Sequence, residues 1–205
     1  MSGADTYIRV APHVPNAYEL KILYQSAAEE IKHYMIGADL LKDIGIDAGY
    51  MLKQQLTERQ HYPSDFIHEY TNWYERGLTS LLAEWAALEH IRELSESSYL
   101  PLARSCDVVA KEEMAHVAHG FRITKHHCET EEGREAVQSV LNRKWGQVLD
   151  LFGASESKRS GLFLKWGLRK YSNDEARQRF AAQARQKLEG LGLQVPPDDT
   201  NRKFM

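Results

Sequence analysis

Two copies of the pattern Glu-x-x-His, each inside a long segment with helical periodicity, constrain the fold of this chain most. The copies are Glu30–His33 and Glu113–His116. Residues three apart share one face of an α-helix, so each copy directs a carboxylate and an imidazole to one point. Each copy lies on the same helix face as Leu, Ala, Val or Gly residues, which predicts that this face is turned toward the core. A carboxylate on such a face is energetically costly unless it is paired or binds a metal. The pattern therefore predicts long helices that bury both pairs.

The rest of the chain also has helical periodicity and no alternating strand pattern, which predicts an all-α protein. We expect a single domain over residues 1–205, with an extended N-terminal arm at 1–16, where Pro12 and Pro15 lie, and an extended C-terminal tail at 193–205. Residues 46–63 give no clear signal. Six helices are predicted: Ala17–Lys42, Asp65–Leu94 with Ser64 or Asp65 as N-cap, Leu100–Cys128, Glu131–Phe152, Ser157–Arg169, and a helix opened by the Ser172–Glu175 capping box and ending near Glu189.

Composition and charge exclude several classes of protein. The net charge of −3 argues against a general nucleic-acid binder. No apolar run approaches the roughly 18 residues of a membrane span. The first residues lack the basic and apolar regions of a signal peptide. With only two cysteines, Cys106 and Cys128, and no Cys-x-x-Cys pair, we expect a cytoplasmic protein.

A third carboxylate extends the paired motif toward a metal site. Glu84 lies on the apolar stripe of the preceding helix, together with Gly77, Leu81 and Leu88. The alternatives are a core Glu84 paired to a buried cation, or Glu89 as the ligand in its place. Carboxylate and imidazole donors suit iron or manganese. Ferritin-like di-iron bundles combine two Glu-x-x-His helices with a lone Glu from each of two further helices.

Other chemistry-bearing residues have a second interpretation as ordinary structure. His119 is either a hydrogen-bond partner of a ligand or a packing residue. Glu29 and Glu112 either face neighbouring helices and solvent or orient the motif histidines. The segment His126-His127-Cys128-Glu129 has a zinc-like composition but no partner pair, so we interpret it as a polar helix end. A basic stretch is either a phosphate-binding surface or a solvated helix face: Lys158, Arg159, Lys165, Arg169 and Lys170.

Three stretches of the chain resemble a known family. They are Ala28–Gly45, which holds the first motif, Lys111–Gly120, which holds the second, and segments between Lys165 and Pro196. In these stretches the chain resembles the phenylacetate-catabolism A/C family, which includes the oxygenase subunit of phenylacetyl-CoA epoxidase. The resemblance covers about residues 17–200.

The resemblance implies a ferritin-like helical bundle with two iron ions, or manganese in their place. It implies metal ligation by Glu30, His33, Glu84, Glu113 and His116, with Glu30, Glu84 and Glu113 also catalytic. In the family a lone Glu lies on a helix about thirty residues before the first motif. Counting back from Glu30 passes the start of this sequence, so we expect the first ligand helix to be lacking and the ligand set to be incomplete.

The function implied by the resemblance is that of an O₂-dependent di-iron oxidoreductase, a monooxygenase or oxidase. The resemblance implies a small organic substrate or a CoA or carrier-protein thioester, and a reductase as partner. Two alternatives stay open: a non-catalytic structural or regulatory subunit, and a metal-binding protein without turnover. We also expect a homodimer or hetero-oligomer, because a bundle without its first helix would expose apolar side chains such as Tyr24, Tyr34, Trp73, Trp85 and Phe163.

Overall fold

The computed structural model describes residues 2–59, 70 and 72–204, and in these ranges it contains helices and no β-strand. The all-α prediction is therefore confirmed for the described residues. The helices are α1 (Ser2–Val10), α2 (Ala17–Lys42), α3 (Trp73–Leu94), α4 (Leu100–His127), α5 (Glu131–Leu149), α6 (Lys158–Lys165) and α7 (Asn173–Glu189). Short 3₁₀ turns lie at Ala11–His13, Gly49–Leu52, Leu56–Glu58 and Asp150–Phe152. The predicted N-cap at Ser64 or Asp65 lies outside the described residues.

The chain forms two compact units, Met1–Trp73 and Tyr74–Met205, which we call the first and second units. The prediction of one domain over residues 1–205 stays a prediction. None of the helices in the described ranges is both long and apolar enough to cross a membrane.

The first unit is built from α1 packed on α2. Tyr7 and Val10 of α1 are buried together with Leu23 and Ala27 of α2. The N-terminus of α2 is fixed by Asn16, whose side-chain oxygen accepts hydrogen bonds from the backbone N–H groups of Tyr18 at 3.0 Å and Glu19 at 3.1 Å. Helix α2 therefore begins and ends at the predicted residues, Ala17 and Lys42.

The predicted extended arm at residues 1–16 is wrong, because Ser2–Val10 is a helix and Ala11–His13 a 3₁₀ turn. Pro12 stands near the start of the 3₁₀ turn, where a missing N–H group costs little. Tyr7 and Val10 recur almost once per turn, and their burial against α2 stabilises a helix that would be marginal alone. The carboxylate of Asp5 also forms an ion pair with Arg59.

The second unit has its hydrophobic core between α3, α5 and α7. Trp145 of α5 and Phe180 of α7 are fully buried and stack with ring centroids 6.4 Å apart. Leu78 and Leu82 of α3 belong to the same cluster, and Val117 and Phe121 of α4 pack against it.

The C-terminal tail is tied to this core. Residues 193–197 have no regular secondary structure and a turn follows at 198–201. Asp198 accepts a hydrogen bond from the Trp145 indole at 3.0 Å. Buried Asp150 accepts the backbone N–H groups of Lys203 at 2.6 Å and Phe204 at 3.2 Å. The tail is therefore a packed part of the second unit.

Helix α6 ends at Lys165, four residues before the predicted end at Arg169. Gly167 takes a left-handed conformation, with φ of +67°, which stops the helix. The chain then turns back, so that Arg169 forms a buried ion pair with Glu93, at 3.1 Å between Nη2 and Oε2. Lys170 pairs with Glu96 at 2.7 Å. These two cations of the predicted basic stretch are therefore engaged within the chain.

Candidate metal centre

Three of the predicted site residues lie together in the interior of the second unit. Glu84 comes from α3, and Glu113 and His116 come from α4. They are 7%, 4% and 2% exposed. Each offers a ligand atom, a carboxylate oxygen or an imidazole nitrogen, and these atoms lie within 4.8 Å of one another. Nδ1 of His116 is 3.8 Å from Oε2 of Glu113.

Two glycines bring α3 and α4 close enough to form this group. Gly77 lies seven residues before Glu84, and Gly120 lies seven residues after Glu113, so each glycine shares a helix face with its carboxylate. A Cβ atom on Gly120 would lie 2.5 Å from the Leu81 backbone nitrogen and 2.9 Å from the Gly77 carbonyl oxygen. The backbones of the two helices are therefore in direct contact beside the group. The sequence pattern put each glycine on the same helix face as its carboxylate, but it did not predict that the two backbones are in contact.

The chemistry of the group fits a divalent metal. Two carboxylates within a few ångströms repel each other, and burial removes the water that would screen them. A cation between them relieves the repulsion, and carboxylate with imidazole is a donor set typical of iron and manganese. These residues therefore fit the metal that the sequence pattern predicted.

The other predicted pair, Glu30 and His33, lies on α2 in the first unit. Nδ1 of His33 is 4.0 Å from Oε1 of Glu30, and the two side chains are 12% and 14% exposed. The carboxylate of Glu30 lies against Gly3 of α1, within a helix that the sequence interpretation missed. The apolar positions of residues 4, 7 and 10 were the available signal for that helix.

The remaining candidates lie elsewhere. Glu89, the alternative to Glu84 as a ligand, accepts hydrogen bonds from Arg92 at 2.9 Å and from the Trp85 indole at 3.3 Å. His126 pairs with Glu129 at 3.1 Å, and both are exposed. Among the described residues, Glu89 and His126 belong to no group able to hold a metal. His119 is buried one turn after His116.

His90 is a half-buried imidazole of the second unit for which the sequence suggested no role. Its ring lies 4.7 Å from that of Phe152. Burial, followed by the nearby Arg169 guanidinium, lowers the pKa of His90 to about 4. His90 is therefore neutral at physiological pH and contributes to packing.

Comparison with known proteins finds relatives of this chain. It is 28% identical over 188 residues to the A subunit of 1,2-phenylacetyl-CoA epoxidase from Escherichia coli K12, an alignment covering 90% of this chain and 61% of that protein. It is 24% identical over 183 residues to benzoyl-CoA oxygenase component B of Aromatoleum evansii, covering 76% and 38%. The chain thus spans less than two thirds of the length of these relatives.

The family model described as phenylacetic acid catabolic protein matches residues 18–204, from the start of α2 to the end of the tail. This range includes both Glu-x-x-His motifs and Glu84, so it supports the resemblance found in the sequence. The chain is a member of the phenylacetic acid catabolic protein family and has its ferritin-like helical fold.

Proposed function

We propose that this chain is a metal-dependent oxygenase or oxidase component that acts on a small organic or acyl-thioester substrate. The observation that carries the proposal is the buried group formed by Glu84, Glu113 and His116, whose ligand atoms lie within 4.8 Å of one another. The relatives in the family are named as part of an epoxidase and as a component of an oxygenase, which supports the same reaction class.

The proposed ligands are Glu84, Glu113 and His116 from the second unit, with Glu30 and His33 from the first. The similar internal geometry of the two Glu-x-x-His pairs, 4.0 and 3.8 Å between imidazole and carboxylate, supports giving them similar roles. We propose two iron ions as the cofactor, with manganese as the alternative. When bound, the metal supplies the redox chemistry that O₂-dependent oxidation requires.

The chain's own contribution is to supply charge and to exclude water. Glu84 and Glu113 place two carboxyl groups in a low-dielectric interior, where an ionised carboxylate attracts a cation more strongly than it would in water. Leu81 and Leu88, one turn to either side of Glu84, are 1% and 3% exposed and keep the carboxylate dry. The rigid α3–α4 contact at Gly120 maintains the spacing of these groups.

We propose that the substrate binds in an open groove of about 370 Å³ in the second unit, which Glu84, Glu113 and His116 do not themselves line. Its lining is mainly apolar and comes from α3, α4 and α7, with Leu81 and Leu88 one turn from Glu84 on α3 and Val117 next to His116 in the chain. Arg92 and Lys187 also line it. Such a lining fits an apolar acyl or aryl group that carries an anionic extension, as a CoA thioester does.

The partners follow from the same proposal. Because the relatives are named as parts of larger enzymes, we propose a hetero-oligomeric assembly, with a homodimer as the alternative and a reductase as electron donor. Of the aromatic side chains predicted to line an exposed surface, Tyr24 is 55% exposed. Trp73 and Trp85 pack against the clusters of their own units.

A second candidate function is that of a non-catalytic subunit. The observation that favours it is that the relatives are named as a subunit and as a component, and so as parts of larger enzymes. In this case the chain would keep the ligand residues but depend on a partner for turnover.

The test is anaerobic loading with Fe(II), followed by metal analysis and then exposure to O₂. We expect bound iron, a change in the optical spectrum on exposure to O₂, and O₂ uptake. Glu84→Gln should lose most of the iron, because it removes a buried negative charge from the group, whereas Glu89→Gln should keep it. Bound iron without O₂ uptake would favour the non-catalytic role, and a wild-type chain without bound iron would refute the metal proposal.

A further inference from the structure

The first turn of α1 meets the carboxylate of Glu30, the proposed metal ligand of the first unit. A Cβ atom on Gly3 would lie 2.5 Å from Oε2 of Glu30, 2.7 Å from its Cδ and 3.1 Å from its Cγ. Real Cβ atoms do not approach other atoms so closely, so the carboxylate occupies space that exists because residue 3 is glycine.

The contact belongs to a continuous packing of α1 along α2. Gly3, Tyr7 and Val10 are spaced by four and three residues on α1, and Leu23, Ala27 and Glu30 have the same spacing on α2. Tyr7, Val10, Leu23 and Ala27 form one buried cluster. The Glu30 carboxylate therefore lies at the end of an apolar seam that holds α1 in place.

One further feature favours a carboxylate at this position, and another holds α1 in place. Backbone N–H groups in the first turn of a helix lack partners within the helix, and they attract negative charge. Gly3 lies in that turn of α1, a helix of nine residues. In addition, the carboxylate of Asp5 is 2% exposed and is paired with Arg59, which ties α1 to the segment after the Leu56–Glu58 turn.

From these contacts we infer that α1 is a positioning element for Glu30, and that Gly3 is the residue that sets the position of its carboxylate. The inference rests on the proposed function only for its consequence in metal binding. The positioning itself is a property of the metal-free chain. A side chain at position 3 would displace the flexible end of Glu30 to another rotamer while α1 stays packed through Tyr7 and Val10.

The first experiment tests the positioning without metal. Gly3→Ala is made in the wild type and in Glu30→Ala, and thermal midpoints are measured for all four proteins. Alanine favours a helix over glycine, so Gly3→Ala should raise the midpoint in the Glu30→Ala background. In the wild type the clash should cancel this gain or reverse it. Equal shifts in both backgrounds would overturn the inference.

A second background guards against a poorly folded Glu30→Ala. Glu30→Asp shortens the side chain by one methylene and withdraws the carboxylate from Gly3. Gly3→Ala should therefore be better tolerated in Glu30→Asp than in the wild type, and equal tolerance there would contradict the positioning role.

The second experiment measures Mn(II) affinity by titration calorimetry. Gly3→Ala should weaken binding about 10-fold, the scale of losing a group that orients a ligand. The matched control is Gly37→Ala on α2, where a Cβ would meet no atom within 4 Å and affinity should not change. Equal affinities for Gly3→Ala and Gly37→Ala would overturn the inference. If the wild type itself binds no metal, the proposed function fails, and the thermal cycle still decides the positioning.

Discussion

The two Glu-x-x-His pairs have nearly the same internal geometry but different surroundings. The imidazole nitrogen and carboxylate oxygen are 4.0 Å apart in the α2 pair and 3.8 Å apart in the α4 pair. The side chains of His116 and Glu113 are 2% and 6% exposed, whereas those of His33 and Glu30 are 12% and 14% exposed. The helix thus fixes the arrangement within each pair, and the packing around the helix decides how dry the pair is.

The packing differs for a specific reason. Beside the α4 pair, α3 approaches to backbone contact at Gly120. Beside the α2 pair, the described neighbour in the first unit is a nine-residue helix that reaches Glu30 with its first turn. Two copies of one motif can therefore differ in how far water reaches their carboxylate and imidazole groups.

The largest expected effect comes from removing a histidine from each pair. His116→Ala should weaken Mn(II) binding by about 100-fold, because it removes an imidazole donor from the buried group. His33→Ala should weaken it by about 10-fold, since water can reach the more exposed position. Titration calorimetry measures both, with His126→Ala as a control expected to bind normally. Equal losses for all three variants would mean that the metal binds elsewhere.

The next effect concerns the two kinds of glycine. Gly120→Ala should lower the free energy of unfolding by about 3 kcal/mol, because its Cβ would collide with the backbone of α3. Gly37→Ala has open space and should raise the free energy of unfolding by up to about 1 kcal/mol. Urea denaturation measures both. A Gly120→Ala protein as stable as the wild type would show that α3 and α4 can separate freely.

The smallest effect is a pH dependence that belongs to the second unit. The pKa of His90 is about 4 when folded, against an ordinary 6.5. Between these values the unfolded chain binds more protons, so this contribution to stability is complete above pH 6.5 and is lost toward pH 4. From pH 7 to pH 5 the metal-free chain should lose about 2 kcal/mol through His90.

Urea midpoints across this pH range, compared between variants, test the assignment to His90. His90→Gln cannot take up the proton and should lose this part of the pH dependence. His33→Gln in the first unit should retain it. The opposite pattern, with His33→Gln flattening the profile, would assign the acid sensitivity to the α2 pair.

Helix boundaries were predictable where local side chains fix them. The Ser172 hydroxyl accepts the Glu175 backbone N–H, and the Glu175 carboxylate accepts the Ser172 backbone N–H, so the capping box starts α7 as predicted. Gly153 follows the helical segment that includes α5. Such signals lie within four residues of the boundary, and a sequence displays them directly.

Helix α1 was not predictable in the same way, since its stability comes from distant residues. Tyr7 and Val10 pack on a helix that begins at Ala17, and Asp5 pairs with Arg59, 54 residues along the chain. The sequence favoured Glu84 over Glu89 because Glu84 lies on the apolar face of α3. It could not predict that Glu84 lies close to Glu113, because this proximity depends on the glycine contact between α3 and α4.

That glycine contact also has a consequence for the order of folding. Helices α3 and α4 are consecutive and joined by residues 95–99 alone, so their packing can begin at this short connection and extend early to the Gly120 contact. Glu84, Glu113 and His116 are brought together in the same step, which concentrates negative charge before the rest of the chain has packed. We expect early metal uptake to relieve this local frustration, with the ion acting as a nucleation aid for the second unit.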